Sequence, residues 1–300
     1  MTDFVPLQNL TALQKQNDID WVQRWNDLVI ARNWKYEPKT ETDFDYWQKN
    51  ARDYSRRVMS RWTQPDSTRD FLIAVMQKQP GATLLDIGAG TGNWAIQLAP
   101  YLSKVTAIEP SAGMRMVFDE VLRGQKPPIG NITLVNGKWP EVETMPHDFT
   151  LCSHAMYGFA DLRSALEKIN RVTRDTCFLL IRAPQPNDPL ARLARRFWGH
   201  PDDSPNFHVL YNACLQLGIY PNVLFEEASR PHPRRYESPD AALEDLRMRF
   251  HLAKTDPGID VIRSILTENL NRNESGSWTL AMHVKVALVY WKPSLNPIIS

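Results

Sequence analysis

The sequence predicts an α/β fold with a mostly parallel sheet carrying helices on both faces, and three observations lead there. Short apolar runs of strand character recur at 83–87, 104–108, 132–135, 148–153 and 176–182, and helical segments such as Met114–Leu122 and Leu162–Arg171 separate them. Strands that alternate with helices build parallel sheets. The first of these runs ends at Asp86 and enters three glycines at alternate positions, Gly88, Gly90 and Gly92, after which the pattern turns helical. Two more strands follow at Asn222–Ala228 and Met282–Trp291, making seven. The last is apolar almost throughout, as a strand covered on both faces would be.

Each element has a local reason. Ile19, Val22, Trp25, Leu28, Val29 and Ala31 stand near helical spacing within residues 12–35. A second helix is expected from Asp43 to Arg61 and a third from Ser67 to Lys78, leading into the first strand. These place an N-terminal helical cap at 1–66 ahead of a domain at 67–300. After the first strand, Gly88-Ala89-Gly90-Thr91-Gly92-Asn93 reads as a tight turn, because glycine alone visits such dihedrals without a Cβ clash. Trp94–Ala99 then begins a helix. The second strand ends at Glu109, twenty-one residues after Gly88. An acid at that distance suits hydrogen bonds from a ribose diol. Asp161 reads as an N-cap before Leu162, and Ser238-Pro239-Asp240 as a helix start with proline in the first turn. Two segments exceed simple connections, at about 184–218 and 229–277. Insertions beyond strand C-termini usually cover the ligand crevice of an open α/β sheet.

The glycine spacing narrows the ligand. The dinucleotide fingerprint is G-x-G-x-x-G, whereas here it is G-x-G-x-G with an acid before the first glycine. A carboxylate at Asp86 suits an ammonium and would repel a pyrophosphate. Asp86-x-Gly88-x-Gly90-x-Gly92 resembles the first motif of class I, Rossmann-like methyltransferases that use S-adenosylmethionine (SAM) and release S-adenosylhomocysteine (SAH). The resemblance extends from about Ser67 to Pro293, and it implies an antiparallel final strand in the seven-stranded sheet. It also implies that Asp86, Gly88, Ala89, Gly90, Gly92, Asn93 and Glu109 border the cofactor.

Carried further, the resemblance reaches Tyr46-Trp47-Gln48-Lys49-Asn50-Ala51-Arg52-Asp53-Tyr54, similar to an aromatic W-x-x-x-A-x-x-Y helix that small-molecule methyltransferases lay over the cofactor. It implies that Tyr46 and Tyr54 reach the ligand, although the same stripe would also pack a helix on the core. After Glu109, Pro110 continues the strand, and Met114 is implied to lie beside the adenine or in the core. Gly137, Lys138 and Trp139 occupy the loop that meets the adenine, where the family's usual small polar residue and acid are replaced. Backbone contacts at Gly137 or Lys138 survive that change, and Trp139 offers a stacking surface. Ser153, His154 and Ala155 fall where the family lines the methyl path. His154 and Tyr157 are the catalytic candidates. Imidazole titrates near neutrality and suits a general base, but a strand-end histidine also serves as a cap.

Composition sets limits. The formal net charge is +1, so no whole-chain field draws the protein to nucleic acid or an anionic membrane. Cys152, Cys177 and Cys214 have no CxxC or metal-ligand spacing, so no metal site is expected, and with no disulfide framework a cytoplasmic location is. No secretory signal is evident at the N-terminus, and no apolar run reaches the ~18 residues that span a bilayer. The Asn/Asp-Pro-Pro-aromatic motif of nucleobase amino-methyltransferases is absent after strand four. A small-molecule acceptor is expected, and arginines such as Arg195 and Arg196 in the insertions would suit an anionic one, because guanidinium forks match carboxylates and phosphates. Two rivals stay open: a non-catalytic SAM-binding or partner-binding module, and a nicotinamide-dependent oxidoreductase.

Overall fold

The computed structural model describes residues 19–32, 47–185, 187–226, 230–231, 233–273 and 276–293. In chain order the elements begin with three helices, α1 (Trp21–Arg32), α2 (Trp47–Trp62) and α3 (Ser67–Gln77). The main domain follows with β1 (Thr83–Ile87), α4 (Asn93–Leu98), β2 (Lys104–Ile108), α5 (Ala112–Arg123), β3 (Ile132–Val135), β4 (His147–Ser153), α6 (Leu162–Val172) and β5 (Thr173–Pro184). Next come α7 (Pro189–Trp198), α8 (Phe207–Gln216), β6 (Asn222–Phe225) and the two-residue β7 (Arg230–Pro231). The chain then forms β8 (Arg234–Tyr236), α9 (Pro239–Arg249), α10 (Gly258–Asn269), β9 (Leu270–Arg272), β10 (Trp278–Leu280) and β11 (His283–Trp291).

The main sheet runs β3-β2-β1-β4-β5-β11-β6, with β7 added along β11. Neighbours from β3 to β5 are parallel, and β11 is antiparallel to both β5 and β6. This is the expected sheet, and its last strand has the expected direction. The order reverses beside β1, so a crevice opens beyond the strand C-termini there, between the loops after β1 and β4.

Alternation along the strands assigns two faces. Cys177, Leu179 and Ile181 of β5 pack with α1, α6 and α8 on one side, while Phe178 and Leu180 join α3, α4 and α5 on the other. The 1–66 segment therefore divides between two places. Helix α1 belongs to the core, with Trp25 fully buried and its indole donating to the Phe159 carbonyl at 3.0 Å. Truncating such a tryptophan to alanine costs about 3–5 kcal/mol. Helix α2 lies elsewhere, on α5. There Gly113 leaves room for it, because a Cβ at that position would meet the Gln48 backbone at 2.6 Å. Ala51, Met114 and Val117 form the contact.

The 184–218 segment divides likewise. Helix α7 joins α9, α10 and β10 around a separate apolar cluster of Leu193, Leu246, Ile262 and Leu280, whereas α8 packs under the main sheet. The second insertion carries a three-stranded sheet, β8-β10-β9, that sequence reading did not foresee. Its strands are three residues each, too short for a two-residue period to stand out.

Candidate active site

Parallel pairing of β1 with β2, with Ile87 opposite Ile108, brings the glycine turn beside the tip of β2. The Gly88 and Ala89 N–H groups both donate to the Ile108 carbonyl, at 2.8 and 3.0 Å. Glu109 follows directly and is buried. One of its carboxylate oxygens accepts the Gly90 N–H at 2.8 Å and the other the Ser111 N–H at 2.8 Å. It thereby fixes the turn and its own loop in one arrangement.

The three glycines do different work, although all have positive φ. A Cβ on Gly88 would lie 2.3 Å from the Ala155 Cβ, and one on Gly92 would lie 2.4 Å from the Phe118 ring. These two let the loop after β4 and helix α5 close against the turn. At Gly90 a Cβ would meet only Tyr54 Cε1, at 3.9 Å. Gly90 thus has room for a Cβ in ordinary contact with Tyr54 of α2, whose ring packs edge-on to Trp47 at 5.2 Å between centroids. At the far end of α2, Trp62 packs edge-on to Trp94 of α4 at 4.9 Å. Tyr46 lies outside the described residues.

Asp86, near the end of β1 and two residues before the turn, is 1% exposed. Burial first, then the Glu109 charge, pushes its carboxyl up from 3.8 to about 7, against a backbone hydrogen bond from Ala95. Its Oδ2 has no hydrogen-bond partner, and neither does the buried Oδ1 of Asn93. Two buried acceptors without donors fit a ligand that brings donors, an ammonium above all. They fit a pyrophosphate badly. The cradle therefore suits the aminoacyl end of SAM, with Glu109 toward the ribose and the Gly90 turn beneath it.

The adenine-side residues need correction. Trp139 is not a stacking surface. Its side chain turns into the main core, 3% exposed, with the indole N–H donated to the Ala165 carbonyl at 3.2 Å and Lys168 over its ring at 5.3 Å. Met114 packs between α2 and α5, which is the core alternative of its reading. Gly137 is pressed by Val142, 2.6 Å from where a Cβ would be, and Lys138 is exposed beside Glu141 at 3.6 Å. Pro110 is exposed at the end of β2, and its carbonyl accepts from Arg115 at 2.6 Å.

Beyond β4, Ser153 is half-buried opposite Leu180 of β5. The next residue, His154, has φ +55°, a left-handed conformation that is uncommon outside glycine and clusters at functional sites. Its N–H donates to the Leu180 carbonyl at 2.9 Å. Its Nδ1 is 3.1 Å from the Tyr157 hydroxyl, which also accepts the Arg182 N–H at 2.8 Å. Burial raises the Tyr157 phenol, so it keeps its proton near neutrality. Because Gly88 touches Ala155, this pair stands directly beside the glycine turn.

Sequence reading missed Arg32 and Arg182. The Arg32 guanidinium lies over the Tyr157 ring at 4.9 Å, and Arg182 at the end of β5 pairs with buried Asp203 at 2.9 Å. Asp203 also takes Arg249 of the cap, and the two guanidinium charges hold its carboxyl far below the usual range against the opposing effect of burial. The three cysteines are buried. Among the described residues no helix is long and apolar enough to cross a membrane.

Fold and site together define a class of protein: a SAM-type α/β domain with a strapped glycine turn. The sequence pattern of the methyltransferase domain family matches residues 46–213, and the chain belongs to that family. It is similar to an uncharacterized methyltransferase, YcgJ, of Bacillus subtilis (strain 168), at 29% identity over 113 residues, 36% of this chain. The match spans 43% of that relative's length. In structure, the chain resembles B. subtilis YcgJ with a TM-score of 0.51 at 18% identity, covering 76% of this chain and 98% of that one. A putative methyltransferase from Bacillus halodurans C-125 gives a TM-score of 0.47 at 14% identity, over 74% and 98%.

Proposed function

We propose that the protein transfers a methyl group from SAM to a small-molecule acceptor. The observation that carries this reading is the glycine turn, where the Gly90 N–H is held by Glu109, Tyr54 lies above Gly90, and the buried Asp86 at the end of β1 keeps an oxygen without a hydrogen-bond partner. SAM supplies a methyl group already activated on a sulfonium, so the protein's task is to align, desolvate and, where the acceptor needs it, deprotonate. Asp86 and Asn93 hold the ammonium, and Glu109 takes the ribose hydroxyls. Tyr54 on α2 covers the ligand and excludes water. Backbone groups at Gly137 and Lys138 serve the adenine side.

His154 and Tyr157 face the acceptor in this reading. Tyr157 holds Nδ1 of His154 by its hydroxyl, which orients the imidazole for proton exchange with an acceptor. The acceptor enters between the loop after β4 and the cap, as a small molecule and not a nucleic acid or a membrane surface, and the protein works in the cytoplasm. The cap's Arg195 and Arg196 are exposed on α7.

Calorimetric titration with SAM, SAH and NAD(H) tests the cofactor. Micromolar binding of SAM and SAH with none of NAD(H) is expected. NAD(H) binding in preference to SAH would return the oxidoreductase reading.

A further inference from the structure

The strand order carries the crevice past the ribose. Next to β1 and its glycine turn stands β2, with Glu109 at its tip, and next to that β3, whose Val135 carbonyl accepts the Glu109 N–H at 3.0 Å. Neighbouring strands are about 4.8 Å apart, so a nucleoside held by its ribose on Glu109 lays its base against the loop that leaves β3. That loop, residues 136–143, contains neither helix nor strand. Its shape must be fixed from outside.

We propose that Lys168 is a positioning residue for the adenine base: from α6 it holds the 136–143 loop in the arrangement that receives adenine. This rests on the methyltransferase reading above. Three features support it. The first is saturation. An ammonium has three N–H donors, and Lys168 Nζ spends all three on this loop. They go to the Pro140 carbonyl at 2.7 Å, the Val142 carbonyl at 2.7 Å and the Glu143 carboxylate at 3.0 Å.

The second is burial. Lys168 is 4% exposed, on the face of α6 that also buries Leu166 and Ile169. Taking an ammonium out of water is costly, and a well-packed apolar side chain in its place is often as stable. What the lysine adds is direction, since its donors fix which way two loop carbonyls point. The third is a second grip on the same loop. Trp139 lies under the ammonium at 5.3 Å and donates its indole N–H to the Ala165 carbonyl at 3.2 Å. Ala165 and Lys168, three residues apart on α6, thus hold the loop together. The hold extends to Gly137, against which Val142 presses, 2.6 Å from where a Cβ would be. Lys168 acts through this backbone and not by touching the ligand.

The test compares two ligands on the full chain by NMR titration: SAH and S-ribosylhomocysteine, which keeps the amino acid, sulfur and ribose but has a hydroxyl in place of the base. Lys168→Met keeps the side-chain length and removes the donors. It should weaken SAH at least fivefold and leave S-ribosylhomocysteine within twofold of wild type. Should that variant not fold, Lys168→Gln, with two N–H donors, should show the same split at smaller size. An equal loss for both ligands would make the lysine structural alone, and undiminished SAH affinity would show that the loop needs no such hold; either overturns the inference alone. If wild type did not bind SAH, the methyltransferase reading would fall and the inference with it.

Discussion

At the scale of single residues, the glycine turn separates stability from binding. Gly88→Ala and Gly92→Ala place a Cβ 2.3 Å from Ala155 and 2.4 Å from the Phe118 ring. Both should lower the melting temperature, at a cost of about 1–3 kcal/mol for overpacking. Gly90→Ala meets no such neighbour, and pays mainly for its left-handed φ of +58°, about 1–2 kcal/mol. It should fold and lose SAH affinity at least tenfold. Calorimetry on the three variants distinguishes the roles. Equal SAH affinity in Gly90→Ala and wild type would place the ligand elsewhere.

Asp86 gives the pH dependence. Its folded-state pKa is raised from 3.8 to about 7. Through that window the unfolded chain has released a proton that the folded protein still holds, so this group's contribution falls as pH rises and is lost above the folded value. A ligand ammonium favours the ionised carboxylate, so SAH should bind more tightly as pH rises from about 6 to about 8. Asp86→Asn should flatten that profile. The acid and glycines were legible in the sequence because their spacing alone specifies the turn. Trp139 was legible only as an aromatic in the right loop. Which way its ring turned depended on the space beside α6, which no local pattern encodes.

At the scale of elements, the helices and strands of the main domain followed from periodicity, and the capping residues Asp161 and Ser238 stand where expected. What periodicity could not give was the destination of each amphipathic helix. Helices α1 and α2 carry similar aromatic stripes, yet one completes the core through Trp25 and the other roofs Gly90 through Tyr54. Hydrogen exchange distinguishes them. SAH should slow exchange across Trp47–Trp62 and leave Trp21–Arg32 unchanged. Unchanged exchange in α2 would make it scaffold alone.

At the scale of the whole molecule, the cap is joined to the sheet by buried charge. Asp203 takes Arg182 from β5 and Arg249 from α9, and both guanidiniums are largely buried. Removing one partner of a buried pair strands the others without water, at about 3–5 kcal/mol. Asp203→Ala should therefore lower the melting temperature by several degrees and loosen the cap to proteolysis. A variant as stable as wild type would show that the apolar cluster around Leu246 holds the cap without it. Arg182 was not legible as a site residue, because in the sequence it is one charge at the end of an apolar strand. Its partner Asp203 lies twenty-one residues further on, and the other cation on Asp203, Arg249, sixty-seven.

The central claim is that the cofactor lies on the Gly90 turn, against Tyr54, and faces His154 and Tyr157. A crystal structure of the SAH complex tests it most directly. The account predicts SAH over the glycine turn, with its amino group toward Asp86, its ribose on Glu109 and its sulfur facing His154. SAH bound anywhere else, for instance in the groove of about 510 Å³ lined by Phe71, Phe178 and Tyr290, would contradict it.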